Sequence, residues 1–194
     1  YSSKDSTAAE DYPSYNNMLS RQNVISNLLL EFPKEHDHKK IINGVLSEIL
    51  EVFDSSLTYI YILTPDQKRL AMKYGATRGG KTLDIGSCME ASIDAIPWWS
   101  KTILAGKEIV LNDISTIKEE APDEYDNMSR LGIKSAISYP LTDNGKVWAF
   151  IGASNDKLKV WSKNDIQWFS SIANIINLAA LVKRNRENAD RYNE

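Results

Sequence analysis

The sequence has 194 residues, 42% of them hydrophobic and 25% charged, enough to bury one sizeable core and too few for two full domains. A formal net charge of -3 and a pI near 5.5 supply no basic field, so neither nucleic acid nor an anionic bilayer is expected as a partner. The single cysteine, Cys88, excludes an intrachain disulfide framework and a cysteine-cluster zinc site and suits a reducing, cytoplasmic setting. The apolar run at residues 178–182 falls far short of the roughly 18 residues a membrane span needs, and no signal peptide is visible. An opening on Tyr1 is expected of a piece of a longer protein.

Residues 1–13, rich in Ser, Asp and Tyr without an apolar period, read as a loose leader. Tyr15, Met18, Ile25, Leu29 and Phe32, interrupted by Gln22, step by threes and fours and predict a helix with a heptad-like stripe, stopped by Pro33. A charged linker over 34–40 carries both histidines, His36 and His38. Ile42, Val45, Leu46, Ile49, Leu50 and Phe53 then predict a second amphipathic helix. Strands are expected over 58–63 and 69–74, joined into a hairpin by Thr64-Pro65-Asp66-Gln67.

Residues 75–86 hold four glycines among polar neighbours and read as a loop. Short helices are expected at 88–96 and 98–105, the second closed by Gly106, with a brief strand over 108–111 after it. The acidic stretch 119–126 opens another helix with carboxylates at the positive end of its dipole, and Leu131-Gly132 ends it. Strands over 133–139 and 147–154 flank Asp143-Asn144-Gly145, where Asn-Gly is the strongest short hairpin signal. Ser162 caps a long helix in which Trp168, Ile172, Ile175, Ala179 and Val182 repeat by fours and threes before the polar tail 183–194. Two hairpins, a third short strand and grouped helices give an antiparallel α+β sheet. Strict alternation places Val147, Ala149 and Ile151 on one face and Trp148 and Phe150 on the other, so both faces must be covered. The terminal helices suit one face and residues 75–132 the other.

In order, Pro97-Trp98-Trp99 through Gly106-Lys107-Glu108, Asn112-Asp113-Ile114, Leu131-Gly132-Ile133-Lys134-Ser135, Pro140-Leu141, Gly145-Lys146 and Trp161-Ser162-Lys163-Asn164-Asp165 resemble the second half of a GAF domain. The resemblance covers residues 41–182. It implies an antiparallel sheet of five to six strands, with terminal helices on one face and a pocket-forming insertion on the other. It divides the chain into a leader (1–13), an N-terminal helix and linker (14–40), the domain (41–182) and the start of a connecting helix (183–194). It implies a non-catalytic sensory module of a bacterial signalling protein, such as a diguanylate cyclase or a two-component histidine kinase. Such a module binds a small ligand or partner and relays the change through its terminal helices. The alternative is a dedicated binding domain for a cyclic nucleotide or another small metabolite.

The candidate pocket residues are Tyr59, Tyr61, Met72, Tyr74, Trp98, Trp99, Tyr125, Met128, Ser138 and Phe150, an apolar set with a few hydroxyls of the kind that lines small-molecule sites and equally fills cores. Trp98 and Trp99 point about 100° apart on a helix, so one can enter the core while its neighbour faces a pocket or a partner. Gly86-Ser87 reads as a cap or a weak anion site. The histidines read as solvated, and no metal is expected. Bilin-carrying relatives attach pigment through a cysteine commonly followed by histidine, whereas Met89 follows Cys88, so bilin is disfavoured. Relatives that reduce methionine sulfoxide need a resolving thiol that one cysteine cannot supply, and no nucleophile–base pair is apparent. The cyclic-nucleotide signature is matched only in part by Asn155-Asp156-Lys157, Trp161 and Asp165-Ile166, and Asp165 is read as a helix-dipole partner. The two terminal stripes predict self-association as a parallel homodimer.

Overall fold

The computed structural model describes residues 14–34, 37–79 and 90–192, so the leader 1–13, His36, Gly86, Ser87 and Cys88 lie outside the described residues. Helices α1 (Tyr15–Glu31) and α2 (His38–Phe53) lead into strands β1 (Leu57–Leu63) and β2 (Arg69–Thr77). Then follow β3 (Glu90–Ser92), α3 (Pro97–Leu104), β4 (Ile109–Leu111) and α4 (Pro122–Arg130), with 3-10 turns at Ile93–Ala95 and Ile114–Ile117. Strands β5 (Ser135–Asp143) and β6 (Lys146–Asn155) and helix α5 (Lys163–Tyr192) complete the chain. The six strands form one antiparallel sheet in the order β3-β2-β1-β6-β5-β4, the α+β architecture expected from the sequence.

Asn144 and Gly145 form the two-residue loop between β5 and β6 with φ of 50° and 78°, the left-handed pair that a type I′ turn requires. Two bulges then decide which side chains face which way. Leu141 pairs with Ala149 and Thr142 with Val147, which leaves Trp148 as the extra residue of β6. The strict alternation expected for this strand therefore fails. Val147 joins Phe150 on the face covered by α3 and α4, while Trp148 turns to the helical face and donates its indole N–H to Asn177 Oδ1 at 2.8 Å. In β2, Ile60 pairs with Tyr74 but Tyr61 pairs with Met72, so Lys73 is the extra residue. Met72 and Tyr74, placed together by alternation, consequently lie on opposite faces, and Tyr74 packs with the terminal helices.

Helices α1, α2 and α5 cover the first face. Asp37 caps α2 by accepting from the Lys40 N–H, so the helix begins at His38 rather than beyond the linker, and the His38 ring lies 4.7 Å from that of Phe32. On α1 the inward side is Val24, Leu28 and Phe32, whereas Tyr15, Met18 and Leu29 of the expected stripe face outward. Ser162 and Asp165 start α5 with a reciprocal pair: the Asp165 N–H donates to Ser162 Oγ and the Ser162 N–H to Asp165 Oδ2. Asp165 Oδ1 also accepts from Arg21 at 2.5 Å, and the Trp168 indole donates to the Arg21 carbonyl, which fastens α1 to α5. Among the described residues no helix is long and apolar enough to cross a membrane.

The helix expected over 88–96 is not formed in its described part. Residues 90–92 pair with β2, and Ile96, which precedes Pro97, takes φ −134° and ψ 59°, outside the helical region that proline disfavours for its predecessor. The N-cap residue Ile96 offers no side-chain cap to α3, whose first residue is Pro97.

Candidate functional site

A cavity of about 240 Å³ opens between the sheet and α3–α4. Its floor is Leu57, Tyr59 and Tyr61 of β1 with Phe150 and Ser154 of β6, and its walls include Trp99 of α3 and Glu124, Asn127 and Met128 of α4. That volume has room for a smaller molecule than the drug-sized ligands that fill sites of roughly 300–1,000 Å³.

Tyr59 organises the floor. It pairs across the sheet with Gly152, which pairs in turn with Ser138. A Cβ at Gly152 would stand 2.3 Å from Tyr59 Cζ, so only glycine lets this ring lie flat across β6. The hydroxyl thereby reaches Ser154 and Ser138, while Ser138 also donates to the Ile151 carbonyl. Burial first, and then the neighbouring Tyr61, push the Tyr59 phenol far above its ordinary range against the pull of the two serines. Burial also raises Tyr61, so both are neutral donors at physiological pH. The Tyr61 ring stacks on Phe150 at 5.3 Å and 18°, giving the floor one flat aromatic surface, and Tyr59 meets Tyr61 edge-on at 5.4 Å.

Glu124 closes the roof. Its carboxylate accepts from the Trp98 N–H at 2.6 Å and the Trp99 N–H at 3.0 Å, so a residue of α4 supplies the N-terminal cap that α3 lacks in its own sequence. Glu124 is 4% exposed and is the only charged side chain among the described residues that line the cavity.

Of the candidates read from the sequence, Tyr59, Tyr61, Trp99, Met128 and Phe150 line the cavity. Met72, Trp98 and Tyr125 pack into the same core without lining it, and Ser138 lies beneath Tyr59. Tyr74 belongs to the other face, where the Lys73 bulge puts it. Nine further lining residues, Glu124, Leu57 and Ser154 among them, are absent from the candidates. The one signal for Glu124 was an uncapped helix start at Ile96-Pro97, which requires an acceptor from elsewhere in the chain.

The residues of the partial cyclic-nucleotide signature serve the frame instead. Lys157 pairs with Asp54 at 3.2 Å, and Asp165 with Ser162 and Arg21. Asp165 is thus a cap and a cross-helix ion pair, beyond the dipole role read from the sequence.

The stretch that builds this six-stranded sheet, its helices and the cavity is matched over residues 35–179 by a family model described as GAF domain. The chain belongs to the GAF domain family. GAF is a sensory, ligand-binding fold. No curated protein sequence matches this chain. Among solved structures, it is similar to the phycoerythrobilin-bound GAF domain from a cyanobacterial phytochrome, with 12% identity, a TM-score of 0.74 and coverage of 88% of this chain and 99% of that one. It is similar to the chromophore-binding domain of an unusual bacteriophytochrome from R. palustris, with 16% identity, a TM-score of 0.73 and coverage of 92% and 65%. The GAF domain from an Acinetobacter phosphoenolpyruvate-protein phosphotransferase gives 9% identity, a TM-score of 0.65 and coverage of 91% and 99%.

These identities speak to the fold. They also correct one expectation: bilin was disfavoured because Met89 follows Cys88, yet this GAF fold is shared with a domain that carries phycoerythrobilin.

Proposed function

We propose that this GAF domain is a non-catalytic sensory module of a bacterial signalling protein, at work in the cytoplasm, which binds a small ligand in the cavity beneath α3–α4. The carrying observation is that cavity, floored by the Tyr61 ring of β1 stacked on Phe150 of β6, a strand whose opposite face is fastened to α5 through Trp148 and Asn177. A change at Phe150 is two residues from Trp148, and α5 leads toward an output domain of the diguanylate cyclase or histidine kinase kind. A dedicated cyclic-nucleotide domain is the weaker reading, because Lys157 and Asp165 are committed to other partners. Native mass spectrometry of the purified chain, followed by denaturing extraction and a screen that includes cyclic nucleotides and biliverdin, tests the proposal. The expected result is one small molecule released with the cavity's aromatic residues protected. A chain that carries nothing and gains no thermal stability from any member of the screen would refute ligand sensing.

The terminal helices support relay through a homodimer. A groove of about 410 Å³ runs between α1 and α5, and Leu29 and Leu178 on its walls are 58% and 65% exposed. A second copy aligned in parallel would cover both and set the two α5 helices side by side. Leu178→Glu is expected to convert a dimer into a monomer of unchanged circular dichroism in sedimentation velocity. Wild-type chain that sediments as a monomer at high micromolar concentration would confine the helices to the local core.

A further inference from the structure

The N-terminus of a helix that borders a pocket is the natural seat for an anion, because free backbone N–H groups and the helix dipole converge there. In this molecule that seat is taken. Both oxygens of Glu124 occupy it, accepting from the Trp98 and Trp99 N–H groups, and the carboxylate is buried where the cavity begins. Around it the described lining is mostly aliphatic and aromatic, with neutral hydroxyls at Tyr59, Tyr61 and Ser154 and the amide of Asn127, and it includes no lysine, arginine or histidine. A second anion entering this space would shed its water, find no cation among the described lining residues and face a carboxylate of its own sign. A flat apolar group would lie against the Tyr61–Phe150 stack and opposite Trp99 at no such cost.

We infer that the cavity selects an uncharged, flat, largely apolar ligand moiety and that Glu124, by plugging the α3 N-terminus, is the specificity residue that keeps anionic groups out. Anionic substituents of a larger ligand are left at the rim, where Asn127 and Leu131 are exposed. This inference rests on the reading of the cavity as the ligand site.

A matched pair of probes separates the two. Indole and indole-3-carboxylate share a ring and differ by one negative charge, and each is titrated into the isotope-labelled full chain with backbone amide shifts as the readout. Indole is expected to shift the amides of Tyr61, Trp99 and Phe150, and the carboxylate to bind at least about tenfold more weakly. Glu124→Gln, which removes the charge and retains one acceptor for α3, is expected to bring the two probes within about threefold of each other. Equal or tighter binding of the carboxylate to the wild type would overturn the inference while leaving the cavity a ligand site. The same holds for a ratio unchanged in a folded Glu124→Gln. Should that variant fail to fold, the wild-type ratio alone decides. Binding of neither probe at these residues would remove the cavity as a ligand site and the inference with it.

Discussion

The two faces of one sheet are built differently. On the helical face, Phe53 is met edge-on by Trp161 and Trp168 at 5.0 and 5.2 Å and tilted against Phe169 at 5.8 Å, and none of these four rings lines the spaces of about 410 and 300 Å³ that open beside α1, α2 and α5. Of the largest fully buried side chains in the described residues, only Ile103 belongs to the opposite face. That second face is roofed by α3 and α4, helices of 8 and 9 residues, and by two 3-10 turns, and it retains a cavity. Long helices can bury continuous stripes and close-pack them; short ones depend on caps and cross-links and leave space. Under the proposed function, recognition falls on that side of β1 and β6 and the aromatic core on the other.

The sharpest way to break this contrast is to remove one phenylalanine from each face. Phe169 is 0% exposed with the Phe53 ring tilted against it, so Phe169→Ala opens a new hole and is expected to cost about 4–5 kcal/mol, close to the whole stability of a marginally stable domain. Phe150 borders space that already exists. Its removal loses the transfer of the ring and little further cavity term, so Phe150→Ala is expected to cost about 2–3 kcal/mol. Urea unfolding of the two variants measures both, and equal losses would mean that the face under α3–α4 is packed as tightly as the other.

A smaller effect tests whether the roof hangs on a single cross-link. Glu124→Ala removes the side-chain cap of the α3 N-terminus and two hydrogen bonds to a charged acceptor, a loss of about 2 kcal/mol. Amide exchange should quicken at Trp98, Trp99 and the rest of α3 while the α2 amides stay protected. Uniform quickening in both regions would show that the two faces open as one unit and would dissolve the distinction.

The helical face was the more legible one in sequence. Ile42, Val45, Leu46, Ile49 and Phe53 repeat at helical spacing, Ser162 announces α5, and Asn144-Gly145 fixes the β5–β6 hairpin, all signals carried within a few residues. The bulges at Lys73 and Trp148 were invisible, because an extra residue in a strand changes no local preference yet reverses every side chain beyond it. That is why Tyr74 was assigned to the pocket and Val147 to the wrong face. The α1 stripe misled for another reason: the helix is apolar on more than one side, and only its partners decide that Val24 and Leu28 turn inward. The roof escaped too, since Glu124 acts on residues 25 and 26 positions earlier, a separation no periodicity covers.

The smallest expected effect comes from one hydroxyl and depends on pH. Tyr59→Phe keeps the ring over Gly152 and leaves Ser138 and Ser154 without their shared partner, a loss of about 1 kcal/mol at neutral pH. In alkali the same hydroxyl becomes a liability. Its folded pKa is raised well above the ordinary value of about 10, so between those limits the folded chain holds a proton that the unfolded chain has released. The stability associated with Tyr59 is therefore fully present below about pH 10 and declines as pH rises further, by up to about 1.4 kcal/mol per pH unit. Tyr61 and Tyr74 are shifted in the same direction by burial and add to the wild-type slope. Phenylalanine at 59 removes one of these contributions. Denaturant midpoints measured from about pH 7 to about pH 11 should thus show the variant below the wild type at first, with the gap closing and then reversing as the wild type loses stability faster. Parallel curves would mean that the Tyr59 phenol reaches solvent and ionises in place, and the cavity floor would then be wet down to the sheet.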